Sequence, residues 1–131
     1  MVKKFKIQTQ SESLHDITRQ VEEVVAESSV EEGICVVYCP HTTAAITINE
    51  NADPDVETDL LTGLDKAFPD SAVFRHAEGN SAAHLKASCI GASETLIVSQ
   101  GRLLLGTWQG IYFCEFDGPR QRTFDVALIS G

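Results

Sequence analysis

Apolar and polar residues change their period along the chain, and each period predicts an element. Phe5 and Ile7 alternate with polar neighbours, which predicts a first strand near 3–9. Leu14, Ile17, Val21, Val24 and Val25 then fall at helical spacing, so a helix follows, with Ser11 or Ser13 as its cap and Gly33 closing the unit. Residues 34–39 (ICVVYC) form an unbroken apolar run with β-branched members, the pattern of a buried strand. Pro40 ends it, and AAITIN predicts another strand at 44–49. Asp53-Pro54 opens a second helix, with Asp53 as cap and Val56, Leu60, Leu61, Leu64 and Phe68 as its apolar stripe. A third helix spans 80–90, capped by Asn80 or Ser81 and stopped by Gly91. Strands follow at 94–99, 102–105, 111–117 and 122–129, with turn signals at Gln100-Gly101 and Asp117-Gly118-Pro119. Helices and strands do not alternate strictly, so the pattern predicts an α+β domain, not a doubly wound parallel sheet.

The 131 residues suit one domain, 1–131, large enough to bury a core without disulfide or metal. No stretch approaches the ~20 apolar residues of a membrane span, and MVKKFKIQTQ lacks the apolar core of a signal peptide, so a cytoplasmic location is expected. Ten Lys and Arg stand against nineteen Asp and Glu, a net charge of −9 with no basic stripe, which argues against a nucleic-acid partner. Cys35, Cys39, Cys89 and Cys114 form no CxxC pair and lie in apolar surroundings, so buried reduced thiols are expected.

Chemistry gathers between His41 and Arg120. His41 stands at a strand end in CPHTTAA, and His76 and His84 bracket HAEGNSAAH. Ser81, His84 and Ser88 share a helix face, whereas His15 is expected on the solvated side of the first helix. Three imidazoles can hold zinc or a related divalent ion with one position open, or they can bond a substrate directly. Gly79-Asn80-Ser81 opens a helix whose free N–H groups favour a phosphate or carboxylate, and Arg120 and Arg122 can add bidentate contacts. The alternative is an ordinary capped helix with solvated arginines. In 111–117, Ile111, Phe113, Glu115 and Asp117 alternate with Tyr112, Cys114 and Phe116. If the second set fills the core, the first forms a pocket or subunit face whose two carboxylates can do acid–base work or hold magnesium. A plain solvent-facing edge is the other reading. Trp108 in GTWQG either walls a pocket or anchors packing, and Asn49-Glu50-Asn51 is expected near His41.

The segments HTTAAITINENADP, HAEGNSAAHLKASCIG and LGTWQGIYFCEFDGPRQR, in this order and spacing, resemble the YjbQ-like family, often labelled secondary thiamine-phosphate synthase. The resemblance runs from the first strand to the last, with no departure inside the three motifs. It implies a compact mixed or antiparallel β-sandwich with two to three helices, assembling as a homotrimer around a phosphorylated small molecule. His41, His76 and His84 then stand as the family's histidine positions, catalytic or metal-ligating, with Glu115 and Asp117 beside them. Asn49, Glu50, Asn80, Ser81, Trp108, Gln109 and Arg120 complete the expected site. The activity implied is weak thiamine-phosphate synthesis, which couples a pyrimidine diphosphate to a thiazole phosphate and expels pyrophosphate. The known dedicated synthases are TIM barrels, a fold of ~250 residues that this chain is too short to form. A metal-dependent hydrolase and a non-catalytic metabolite-binding protein are the alternatives.

Overall fold

The computed structural model describes residues 1–131. The elements run β1 (Val2–Gln8), β2 (Ser13–Asp16), α1 (Thr18–Glu27), β3 (Gly33–Tyr38), β4 (Ala44–Glu50), α2 (Pro54–Ala67), α3 (Ser81–Ile90), β5 (Ser93–Ser99), β6 (Arg102–Leu103), β7 (Gln109–Glu115) and β8 (Gln121–Ser130). Five strands form one sheet in the order β1-β8-β3-β5-β6, and three form a second in the order β2-β7-β4. All pairings are antiparallel. The α+β sandwich expected from the sequence is therefore present. No helix is long and apolar enough to cross a membrane.

The apolar residues divide into two cores. Between the sheets lie Cys35, Val37, Leu96, Val98, Ile111, Phe113, Phe124 and Val126, with Val21, Val24 and Val25 of α1 closing one end. On the other side of the three-stranded sheet, Tyr112, Cys114 and Phe116 pack against Ala45 and against Ala83 and Ala87 of α3. β7 is thus the middle strand of its sheet and is covered on both faces. This corrects the expectation that Ile111, Phe113 and Glu115 form a pocket or outer face: each is fully buried.

The first helix begins later than the periodicity predicts. Residues 13–16 form a strand paired with Tyr112–Glu115, and the helix starts at Thr18. Neither Ser11 nor Ser13 caps it. Asp16 accepts from the Thr18 N–H and hydroxyl at 2.9 and 2.6 Å. Leu14 packs on the α3-side core while Ile17 joins the inter-sheet core, so their helical spacing was a coincidence of two separate burials. His15 consequently sits half-buried on β2, with Ser13 Oγ 2.8 Å from Nε2. Burial pushes its pKa down against the pull of Glu115 and Glu57.

Two further expectations change. The run 34–39 is not buried on both sides: Cys35 and Val37 face the core, whereas Ile34 and Tyr38 are exposed. Cys89 is exposed, unlike the other three cysteines. In α2 the Asp53 cap forms as expected, accepting from Asp55 N–H at 2.9 Å, yet no residue of that helix is fully buried. The helix is tied down by Lys86 of α3, a buried ammonium that pairs with Asp65 of α2 and with Glu12.

Candidate active site

Three segments that end on one side of the sandwich meet there. The link between β3 and β4 carries His41. The turn into α3 carries His76, Glu78 and Asn80, and the first turn of α3 carries His84. The chain entering β8 carries Arg120 and Arg122. With Pro40, Thr42 and Thr43 they line one polar cavity of about 380 Å³. A second cavity of about 500 Å³ adjoins it, sharing His41, Thr42 and His84 and adding Ala44, Ala87, Ser88, Gly91 and Ala92. The three histidines expected together are therefore together.

Gly118 makes the approach of the two arginines possible. A Cβ there would stand 2.0 Å from the Gln10 carbonyl oxygen, so no other residue fits without moving the backbone. Past this turn, Arg122 becomes the best-fixed cation of the molecule. Its Nε donates to Glu115 Oε1 at 2.8 Å, and its Nη2 reaches Glu115 Oε2 at 2.5 Å and Thr43 Oγ1 at 2.8 Å. Thr9 Oγ1 and the Asp117 N–H also donate to that carboxylate, at 2.5 and 3.0 Å. Burial alone would raise the pKa of Glu115. The Arg122, Thr9 and Asp117 donors outweigh it and hold the group below the usual carboxylate range. Glu115 is fully buried and takes no part in lining the cavity; what it does is lock a guanidinium. Arg122 Nη1 makes no hydrogen bond within the chain and is not fully sealed from solvent, and Arg122 is one of the residues that line the cavity.

Asn80 caps α3 by position but not by side chain. Its Nδ2 instead donates to Asp117 Oδ2 at 2.8 Å, and its Oδ1 is the one buried side-chain polar atom without a partner. Asp117 also receives Arg120 Nη2 at 2.8 Å, while Arg120 Nε donates to the Asp117 carbonyl. Asp117 thus braces Asn80 and Arg120. Ser81 is the first residue of α3 and does not line the cavity.

The His41 ring is held from behind. Its Nε2 accepts the Thr123 N–H at 3.0 Å, which leaves the ring proton on Nδ1. Burial, then the nearby Arg122 charge, push its pKa down, so the ring is neutral at pH 7. His76 and His84 meet edge to face with centroids 5.4 Å apart. No three His, Cys, Asp or Glu side chains are arranged to hold one ion, and His41 Nε2 is already committed. The residues of a single chain do not fit a three-histidine metal centre. The Cys39 thiol, two residues from His41, is pushed by burial up to about 11, so it is a protonated packing group.

The remaining expected residues lie elsewhere. Asn49 pairs with Gly110 and Glu50 with Gln109, at the far end of the β4–β7 ladder. At ~3.4 Å per residue, Asn49 is about 17 Å along the strand from Ala44, where the pocket begins, so the expected closeness of Asn49 to His41 fails. Trp108 is 61% exposed there, and its carbonyl accepts from Asn51 N–H. Arg122 is the cavity-lining residue that sequence reasoning ranked too low. Its signal was present in PRQR beside Arg120, but nothing in the sequence says which arginine meets Glu115.

Residues 3–131 match the family model described as UPF0047 protein YjbQ-like. The chain is 56% identical to the UPF0047 protein YugU of Bacillus subtilis, over 98% of this chain and 99% of that protein. It is 52% identical to a UPF0047 protein of Methanocaldococcus jannaschii, over 98% and 94%. Among solved structures, an uncharacterised yjbq/upf0047 protein from Clostridium acetobutylicum superposes with a TM-score of 0.94 at 54% identity, covering 96% of this chain and 98% of that one. A YbjQ-like protein of unknown function from Sulfolobus solfataricus reaches 0.96 at 35% identity, covering 100% and 97%.

Proposed function

The chain belongs to the UPF0047 YjbQ-like family, and we propose that it is a cytoplasmic enzyme acting on a phosphorylated small molecule. The observation that carries this reading is Arg122: a guanidinium fixed by a buried carboxylate at the wall of a cavity that also holds three imidazoles. Such a fork is oriented before a ligand arrives, so little ordering is lost when a phosphate docks. Arg120 adds a second cation at the rim, and the Asn80 carbonyl awaits a donor. His76 and His84 are placed to carry a proton, and His41 Nδ1–H is a fixed donor. The cytoplasmic assignment is supported by four free cysteines.

The candidate reaction is the one the family resemblance implies. The thiazole nitrogen attacks the methylene carbon of the pyrimidine diphosphate, the C–O bond breaks, and pyrophosphate leaves with the electron pair. Arg122 and Arg120 would carry the charge that builds on the leaving group. The test is multiple-turnover release of pyrophosphate and thiamine phosphate from the two substrates. His84→Gln and Arg120→Gln should lower the rate at least about 100-fold while the chain stays folded. Unchanged turnover in both would remove the assignment.

We propose also that copies associate through the outer face of the larger sheet, as the homotrimer that the resemblance implies. Ile34 lies directly between Ile97 and Ile129 in the ladder, and all three are exposed. The next row, Thr95, Val36 and Ala127, is uncharged as well. An exposed apolar row of this kind invites a neighbouring copy, and in a closed trimer it meets a different patch of the next copy, head to tail. Light scattering should give about three times the 14.3 kDa chain mass, and Ile34→Lys should give monomers. A monomeric wild type would end this proposal.

A further inference from the structure

A third cavity, of about 370 Å³, lies between α1 and the turn that joins β5 to β6. Glu22, Val25 and Ala26 line it from the helix, and Gly101, Arg102 and Leu103 from the turn and β6. It belongs to the opposite end of β3 from the histidines: Gly33, opposite Val98, is about 17 Å along the strand from Tyr38. We propose that this cavity binds a free α-amino acid with an apolar side chain, a ligand class distinct from that of the histidine site.

Register supplies the main-chain contacts. Leu104 N–H donates to the Ile97 carbonyl at 2.8 Å, so those two residues form a hydrogen-bonded pair of the ladder. Leu103, opposite Val98, then belongs to a pair of the other kind, and its N–H and C=O both turn away from β5. β6 is the last strand of its sheet, so no strand meets them. A carboxylate can accept from that N–H and an ammonium can donate to that C=O, as one residue bonds another across a ladder. The side chains add the charges. Glu22 and Arg102 border the same space, are both exposed, and form no ion pair with each other or with any other residue. One pole of each sign suits a zwitterion, whereas a ligand with a single charge also faces a like charge. The floor is apolar and firm: Val25 is buried in the inter-sheet core and Leu103 packs against that core. Ala26 presents only a methyl group, which leaves an apolar side chain room to lie on Val25. The turn is firm too, because Gly101 N–H donates to the Glu31 carbonyl at 3.0 Å and Gln100 N–H to Glu32 Oε1 at 3.2 Å.

Titration of the nitrogen-15-labelled full chain with L-leucine, glycine, leucine amide and N-acetyl-leucine tests this, read at the backbone amides of Gly101, Arg102 and Leu103. L-Leucine should shift all three saturably, and glycine should bind at least about tenfold more weakly because it has no side chain to bury. Leucine amide and N-acetyl-leucine each lack one charge and stand for the two ends of a peptide. Each should bind at least about tenfold more weakly than leucine. Glu22→Gln and Arg102→Gln, both at exposed positions, should each weaken leucine by a similar factor while amides remote from the cavity keep their positions. No saturable shift up to about 20 mM leucine overturns the proposal. So does leucine binding that both substitutions leave unchanged. If the amide or the N-acetyl compound binds as tightly as leucine, the occupant is a peptide end and the free amino acid is ruled out.

Discussion

The two ends of the β4–β7 ladder were equally promising as sequence, and they fold into opposite kinds of surface. At the β4 start, Glu115, Arg122, Thr43 and Thr9 satisfy one another out of reach of water and fix one guanidinium at the cavity wall. At the other end, Asn49 bonds its own neighbour Glu50 N–H, Gln109 accepts from Gly106 N–H, and Trp108 lies largely in solvent. One end spends buried polar groups to fix a donor in space; the other makes local turn contacts that any loop can make. Polar residues mark a site when other elements immobilise them, and the residue type alone does not say which case applies.

The largest effect that would test this contrast is Glu115→Ala. It strands Arg122 as an unpaired buried charge and should cost about 3–5 kcal/mol in denaturant unfolding. A loss below about 1 kcal/mol would mean that the pocket end is no more tightly built than the Trp108 end. Next come two matched glycine substitutions. Gly118→Ala forces a Cβ onto the Gln10 backbone oxygen and should cost about 2–3 kcal/mol. Gly110→Ala meets Asn51, whose amide can turn away but whose Cβ, 2.8 Å off, moves only with its exposed backbone, so about 1–2 kcal/mol is expected. Equal costs would erase the distinction between a rigid and a yielding end.

A smaller effect is expected from acid. His41 has a folded pKa below the ordinary 6.5, and His15 shifts the same way. As pH falls through 6.5, the unfolded chain takes up protons that the folded chain refuses, so stability is lost on the acid side and is unaffected above it. Gln at position 41 can still accept the Thr123 N–H but cannot titrate. His41→Gln should therefore flatten part of the decline in melting temperature between about pH 6.5 and 5. A slope identical to wild type would show that His41 does not contribute. The smallest effect belongs to Trp108→Ala, which should change stability by less than about 0.5 kcal/mol and leave phosphate binding intact. A loss of binding there would reveal that the far end reaches a pocket after all, by way of a neighbouring copy.

Much of this molecule was legible before folding. Most of the strands, all three helices and the Asp53 cap follow from apolar period, whereas the short strand β2 and the division into two cores do not. Leu14 misled because helical spacing cannot distinguish one core from two. Glu115 misled because its neighbours Phe113 and Ile111 looked like half of an alternating strand, whereas the strand is covered on both sides. Asn49 and Trp108 were grouped with His41 by motif proximity, but antiparallel register carries them down the ladder. These errors share a cause: each concerned which other element lies opposite, a long-range fact that local pattern does not contain.

The bond from Thr123 N–H to His41 Nε2 has a practical consequence. β3 ends its pairing with β8 at Tyr38 opposite Asp125, so two residues further on an imidazole stands in for the missing strand. Anything that claims that nitrogen, whether a proton, an alkylating reagent or a guest molecule, must release an amide in the longest strand of the protein. The nitrogen-15 resonance and the deuterium uptake of Thr123 are thus a native gauge of occupancy, readable before any substrate has been identified.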